Sequence, residues 1–113
     1  MEKSPSLKIS QANDAFRRTA EPKDIQITST VLDLPDAEGL IDTIRTDNSF
    51  TIKTDPFHEH DMGCVEWYDE YVLWMIDYYD PTLSYGLDAL DPDCRRILNI
   101  QLFQEYGSDP MKR

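Results

Sequence analysis

Residues 63–79 read Gly63-Cys64-Val65-Glu66-Trp67-Tyr68-Asp69-Glu70-Tyr71-Val72-Leu73-Trp74-Met75-Ile76-Asp77-Tyr78-Tyr79, and how this stretch folds decides the architecture. Val, Trp, Tyr and Ile dominate it, side chains that suit a pleated, half-buried surface. A short acidic break, Tyr68-Asp69-Glu70, splits it into two runs. A β-hairpin of residues 63–67 and 71–79 is therefore predicted rather than one helix. Val65, Trp67, Trp74 and Ile76 are expected to fill one face of that hairpin. Glu66, Asp69 and Glu70 are then placed outward or at the turn, because burying unpaired carboxylates is costly.

Outward from the hairpin the periodicity changes several times. Upstream, Ile25, Ile27, Ser29 and Val31 alternate with polar residues, which predicts a strand. Pro35, Asp36 and Glu38, followed by Ala37, Leu40, Ile41 and Ile44 on one stripe, predict a helix over 35–46. Phe50 and Ile52 predict a further strand over 49–53. Ser10 can cap a helix reaching about Arg18, with Ile9, Ala12, Ala15 and Phe16 on its buried stripe. Downstream, residues 81–90 read as a loop. Asp91-Pro92-Asp93 then reads as a helix start, with Cys94, Ile97, Leu98 and Leu102 on one stripe and Gly107 as the stop. The expected order is α-β-α-β-β-β-α, an α+β fold in which about three helices pack on an antiparallel sheet of about four strands. One domain over residues 9–107 is expected, with flexible tails at 1–8 and 108–113.

The chain has 113 residues and a net charge of −11, and the imbalance is local. Residues 54–94 contain no Lys or Arg but hold Asp55, Glu59, Asp61, Glu66, Asp69, Glu70, Asp77, Asp80, Asp88, Asp91 and Asp93. The rest of the chain balances. Eight of the twelve aromatic residues lie in the same stretch, and such residues supply anchoring area that charge alone lacks. Direct nucleic-acid binding and attachment to an anionic membrane are both disfavoured by this charge. A basic protein surface is the expected partner, and Asp55, Glu59, Asp61, Glu66, Asp69, Glu70, Asp77 and Asp80 are its expected contacts. No run approaches about eighteen apolar residues, and Met1-Glu2-Lys3-Ser4-Pro5 lacks the apolar stretch of a secretory signal, so a cytoplasmic location is expected. Cys64 and Cys94 are expected to be reduced, buried small hydrophobes.

Residues 55–64 gather two imidazoles, three carboxylates and a thiol. His60 with Glu59, Asp61 and Asp77 could hold a divalent metal in a small metal-dependent enzyme or binding domain, and His58 could join His60 along an extended strand. The paired ligand clusters of a structural zinc site are absent, and so are a nucleophile elbow, a phosphate loop and a dinucleotide fingerprint. No catalytic residue and no cofactor is therefore expected.

Asn13-Asp14-Ala15-Phe16-Arg17, Asp55-Pro56 with Glu59-His60-Asp61 and Gly63, Trp74 with Ile76-Asp77-Tyr78-Tyr79-Asp80-Pro81, and the final Glu105-Tyr106 together resemble a small bacterial family of unknown function. Its members are common on plasmids and other mobile elements. In the family pattern the position of His58 is often glycine, which implies that His58 is not an essential ligand. The mobile-element setting implies an anti-defence role, such as an anti-CRISPR or anti-restriction factor. The expected function is a non-enzymatic acidic inhibitor of a host nucleic-acid-handling complex, with carboxylates imitating a phosphate track toward a basic channel. An acidic adaptor, or an antitoxin-like partner of some other basic protein, is the further alternative.

Overall fold

The computed structural model describes residues 4–108. Helix α1 (Pro5–Thr19) is followed by a single 3-10 turn (Pro22–Asp24), strand β1 (Ile25–Ile27), and helices α2 (Ser29–Leu32) and α3 (Ala37–Thr46). Strands β2 (Met62–Trp67), β3 (Glu70–Tyr79) and β4 (Arg95–Leu102) come next, and the short helix α4 (Phe103–Ser108) ends the described chain. The fold is α+β, with a four-stranded open sheet in the order β1-β4-β3-β2. The sheet is mixed rather than purely antiparallel, because β1 runs parallel to β4, and the described residues form four α-helices.

The hairpin forms as its sequence predicts. Trp67 pairs with Glu70, Val65 with Val72 and Gly63 with Trp74. The turn is one residue shorter than expected. Tyr68 and Asp69 alone make it, at φ 47° and 65°, the two positive dihedrals of the turn type that matches strand twist. Val65, Trp67, Trp74 and Ile76 do share one face. They pack with Leu98, Ile100 and Leu102 of β4 against Val31, Leu40 and Ile44 from the helical layer. Gly63 is required here, since a Cβ would stand 2.6 Å from the Trp74 indole.

Four expectations are corrected. The helix expected from Asp91 is instead a turn, with Cys94 N–H donating to the Asp91 carbonyl, and then strand β4. Leu98, Ile100 and Leu102 alternate toward the helices, while Ile97 and Gln101 are buried on the other face. A strand buried on both faces loses the alternation that would identify it. The strand expected over 49–53 does not form: Ile52 is 74% exposed and Phe50 turns inward to stack on His60. The strand expected through Val31 stops at Ile27, and α2 carries Val31 into the core. Helix α1 starts at Pro5, capped by Ser4, whose hydroxyl accepts the Leu7 N–H, so residues 5–8 are helical rather than a tail. Residues 1–3 and 109–113 lie outside the described chain.

The buried stripe of α1 is also rotated from the expected one. Ile9, Ser10, Asn13 and Arg17 face inward, while Ala12 and Ala15 are exposed. The helix thus buries polar side chains, each of which must find partners. At the far end of the chain, Glu105 reaches back to accept the Leu102 N–H at 2.8 Å, half of a capping box that starts α4 directly from the end of β4.

Candidate functional site

Helices α1 and α3 cap each other. Arg17 donates to the Ile44 and Asp47 carbonyls at 3.0 and 2.8 Å, and Arg45 donates to the carbonyls of Arg17, Arg18 and Ala20. Each arginine satisfies the orphan carbonyls at the other helix's C-terminus and meets the negative end of its dipole. The Arg17 guanidinium also lies 4.3 Å from the Trp74 ring centroid, a cation–π contact strengthened by burial. Burial lowers its pKa, opposed by Asp14 and Asp47. Trp74 completes the corner by donating to Asp47 Oδ2 at 2.9 Å. An open polar cleft lies here, lined by Asp14, Arg17, Arg18, Arg45, Thr46, Asp47 and Asn48, with two of its three arginines committed to helix ends.

Asn13, fully buried, is the second hub. Its amide donates to the Glu59 carbonyl at 2.9 Å and to the Tyr78 hydroxyl at 2.8 Å. Arg96 Nε donates to Asn13 Oδ1 at 2.7 Å. Tyr78 in turn donates to Asp61 Oδ2 at 3.3 Å, and burial raises its pKa. His60 stacks on Phe50 with ring centroids 4.0 Å apart. Its Nδ1 meets both Asp14 carboxylate oxygens at 3.1 Å, and its Nε2 stands 3.9 Å from Asp55 Oδ2. Sequence reasoning grouped these residues only as a pattern. The signal that could have placed them is the Asn13, Asp14, Arg17 spacing, which puts three polar side chains on one side of a helix otherwise short of buried apolar residues.

The expected contact residues divide into distinct roles. Asp55 and Asp80 are 3% and 5% exposed and organise their own loops in the same way. Each precedes a proline and uses one carboxylate oxygen to accept the backbone N–H four and five residues on. Those donors are Glu59 and His60 for Asp55, and Ser84 and Tyr85 for Asp80. Each also accepts a main-chain bond three residues on, from His58 and Leu83. Those two residues have φ of 58° and 61°, the left-handed region that glycine adopts most freely. A glycine at the His58 position would fit this loop.

The two acidic loops are therefore built by local backbone satisfaction, and Asp55 and Asp80 are not surface contacts. Asp61 is half-buried and bonded by Tyr78, and its pKa is raised chiefly by burial. Asp77 accepts from Asn99 on the sheet face opposite Tyr78, because adjacent strand residues point to opposite sides. Glu59 is half-buried, with its pKa raised by burial and then by Asp61, Asp55 and Asp88. The four residues of the metal alternative, His60, Glu59, Asp61 and Asp77, are not gathered around one point. Among the described residues no group of three or more His, Cys, Asp or Glu is arranged to hold an ion. Cys64 and Cys94 are free and half-buried rather than fully buried, and burial raises both thiol pKa values.

Of the eight expected contacts, Glu66, Asp69 and Glu70 gather around the β2–β3 turn. Glu66 and Asp69 are exposed and Glu70 is half-buried. They surround the hairpin turn with Tyr68 and Tyr71, each 60% exposed. The tip is braced from behind, where Trp67 Nε1 donates to the Pro35 carbonyl at 2.8 Å and its ring meets Tyr68 edge to face at 5.5 Å.

The hydrogen bonds of Asp80 carry a pH consequence. Thr82, through its hydroxyl, and the N–H groups of Tyr85, Ser84 and Thr82 hold its pKa at about 2, below the ordinary 3.8. A folded-state pKa below the unfolded value contributes stability that is full above about pH 4 and is lost as pH falls toward 2. Asp80→Ala is therefore expected to lower the melting temperature at neutral pH and to flatten its fall between pH 4 and pH 2. A thermal melt series across that window checks both.

The family described as a protein of unknown function (DUF3768) matches residues 26–105. No curated protein and no solved structure matches the chain. The matched range takes in the sheet from the second residue of β1 onward, and both acidic loops. It excludes α1, although Asn13 and Arg17 bind directly into the matched part.

Proposed function

We propose, for a chain that belongs to the DUF3768 family of proteins of unknown function, that it works as a non-enzymatic acidic inhibitor. It docks the tip of its β2–β3 hairpin on a Lys/Arg-lined surface of a nucleic-acid-handling defence complex of the CRISPR–Cas kind. The observation that carries this reading is the composition of the tip: Glu66, Asp69 and Glu70 beside two exposed tyrosines, in a segment without a single Lys or Arg between residues 54 and 94. An ordinary solvated surface mixes charge signs. Carboxylates beside rigid aromatics offer both long-range attraction and anchoring area to a basic partner. The mobile-element setting implied by the sequence resemblance favours a defence complex as the bearer of that surface, and such an encounter would take place in the cytoplasm. The broad phosphate track expected from the sequence is narrowed to this tip, since Asp55 and Asp80 are spent on their loops.

The experiment is a competition assay in which a reconstituted RNA-guided effector binds labelled target DNA in the presence of increasing protein. The parent chain is expected to displace DNA. The variant Glu66→Lys/Asp69→Lys/Glu70→Lys is expected to fold and to need at least about tenfold more protein for the same effect, with a larger difference at low salt. Equal inhibition by the folded triple variant would remove the hairpin tip from the function.

A further inference from the structure

Strand β2 ends the sheet, and one of its edges has no neighbour. The sheet order stops at β2, and its six residues pair only with β3. The ladder's phase follows from two observations. Ile76 N–H donates to the Asp61 carbonyl at 2.8 Å, and the two-residue turn makes Trp67 and Glu70 a bonded pair. Asp61, Gly63, Val65 and Trp67 therefore turn their backbone groups toward β3, and Met62, Cys64 and Glu66 turn theirs away from the sheet. Among the described residues no hydrogen bond reaches these three outward N–H and C=O groups. Bare edges of this kind template the addition of another strand unless they are guarded.

The charges around this edge select the occupant. Glu66 stands on the strand itself, with Asp69 in the turn beyond one end and Glu59 and Asp61 beyond the other, while Glu70 lies across the hairpin on β3. In the register that pairs all three outward residues, a second copy would leave Glu66 across from Met62 with no cation to meet, and would bring Asp69 of each copy toward Glu59 of the other, a like-charge approach that disfavours the pairing. An extended segment carrying Lys or Arg would instead place opposite charge across from Glu66 and at both ends. We infer that the free edge of β2 accepts an extended, Lys/Arg-bearing strand of the partner protein as a fifth strand of the sheet. Backbone bonds to Met62, Cys64 and Glu66 hold it, and the flanking carboxylates select it. This inference rests on the reading of the hairpin tip as the docking surface, and adds how the partner's chain is held there. Main-chain bonds supply affinity in such strand addition, and alternate side chains supply specificity.

The test uses the full chain and two eight-residue probes, one alternating lysine with valine and the other identical in charge but N-methylated at every second residue. In the free protein the amides of Cys64 and Glu66 should exchange faster than those of Gly63 and Val65. The unmethylated peptide should slow Cys64 and Glu66 at least about tenfold and bind at least about tenfold more tightly than its methylated counterpart. Cys64→Pro removes an outward donor while sparing the β3 ladder, since proline is tolerated where an edge N–H faces solvent. It should lower peptide affinity by a similar factor while Gly63 and Val65 stay protected.

Equal binding of the two peptides by the parent chain, or binding that leaves both amides unprotected, overturns the inference. A free protein that sediments as a dimer, and becomes monomeric in Cys64→Pro, overturns it too, by showing that a second copy fills the edge. The two readings fail separately in the effector assay. Inhibition lost by the charge-reversed tip but kept by Cys64→Pro refutes the strand addition alone. Inhibition lost only by Cys64→Pro refutes the charged tip.

Discussion

Trp74→Ala is expected to destabilise the fold by about 3 to 5 kcal/mol, the range for truncating a fully buried aromatic. The indole is completely enclosed, and it joins four parts of the chain. It fills the helix-facing side of β3 opposite Gly63. It also bonds Asp47 at the end of α3, meets Phe50 at a near-perpendicular ring angle with centroids 5.9 Å apart, and lies under the Arg17 guanidinium. The surrounding backbone is sheet and helix, which can collapse only partly into the space left behind. Marginal stability makes such a loss a large fraction of the total for a domain of this size. Urea denaturation measures it, and a loss below about 1 kcal/mol would mean that this corner is not the keystone of the core.

Arg17→Ala is expected to cost a similar amount, about 3 to 5 kcal/mol, for a different reason. Arg17 is 2% exposed, so its truncation takes the guanidinium donors from the C-terminal carbonyls of α3 and a cation from beside Asp14. The half-buried Asp47 carbonyl would then lose the Arg17 donor and the Ile44 carbonyl would keep only the Asp47 N–H, and an under-satisfied buried acceptor costs more than the bond contributed. Because Arg17 and Trp74 touch, the two losses should not add. A double-mutant cycle is expected to show a coupling of about 1 kcal/mol or more. Additive losses would place the two side chains in independent parts of the core.

The hairpin was legible because three signals agree: β-branched and aromatic runs, a short acidic break at Tyr68-Asp69-Glu70, and one apolar face. Strand β4 was not legible, because it is buried on both faces, so Cys94, Ile97, Leu98 and Leu102 fit a helical stripe while the same stretch forms a strand. Asp91-Pro92 then tipped that reading toward a helix, since the same residues favour helix starts and tight turns. Phe50 misled for a related reason: its neighbour Ile52 supplied an apparent alternation but is left in solvent.

At the site, the carboxylates were legible as a set but not in their roles. Whether an Asp bonds backbone or faces solvent depends on which N–H groups its loop brings round. In Asp55 and Asp80 that closure runs over four and five residues through a left-handed residue, which composition does not reveal. The polar stripe of α1 was hidden by two alanines, Ala12 and Ala15, which look like core and are exposed.

The His60, Asp14 and Asp55 cluster joins α1 to the first acidic loop, and the proposed binding surface is the hairpin tip. The most direct measurement is the inhibition titration of His60→Gln beside Glu66→Lys/Asp69→Lys/Glu70→Lys, with the unfolding free energy of each taken on the same samples. His60→Gln is expected to lose stability, through the lost Phe50 stack and Asp14 contact, and to inhibit as the parent chain does. The tip variant is expected to keep its stability and to lose inhibition by at least about tenfold. A stable His60→Gln that no longer inhibits, beside a tip variant that still does, would contradict the account.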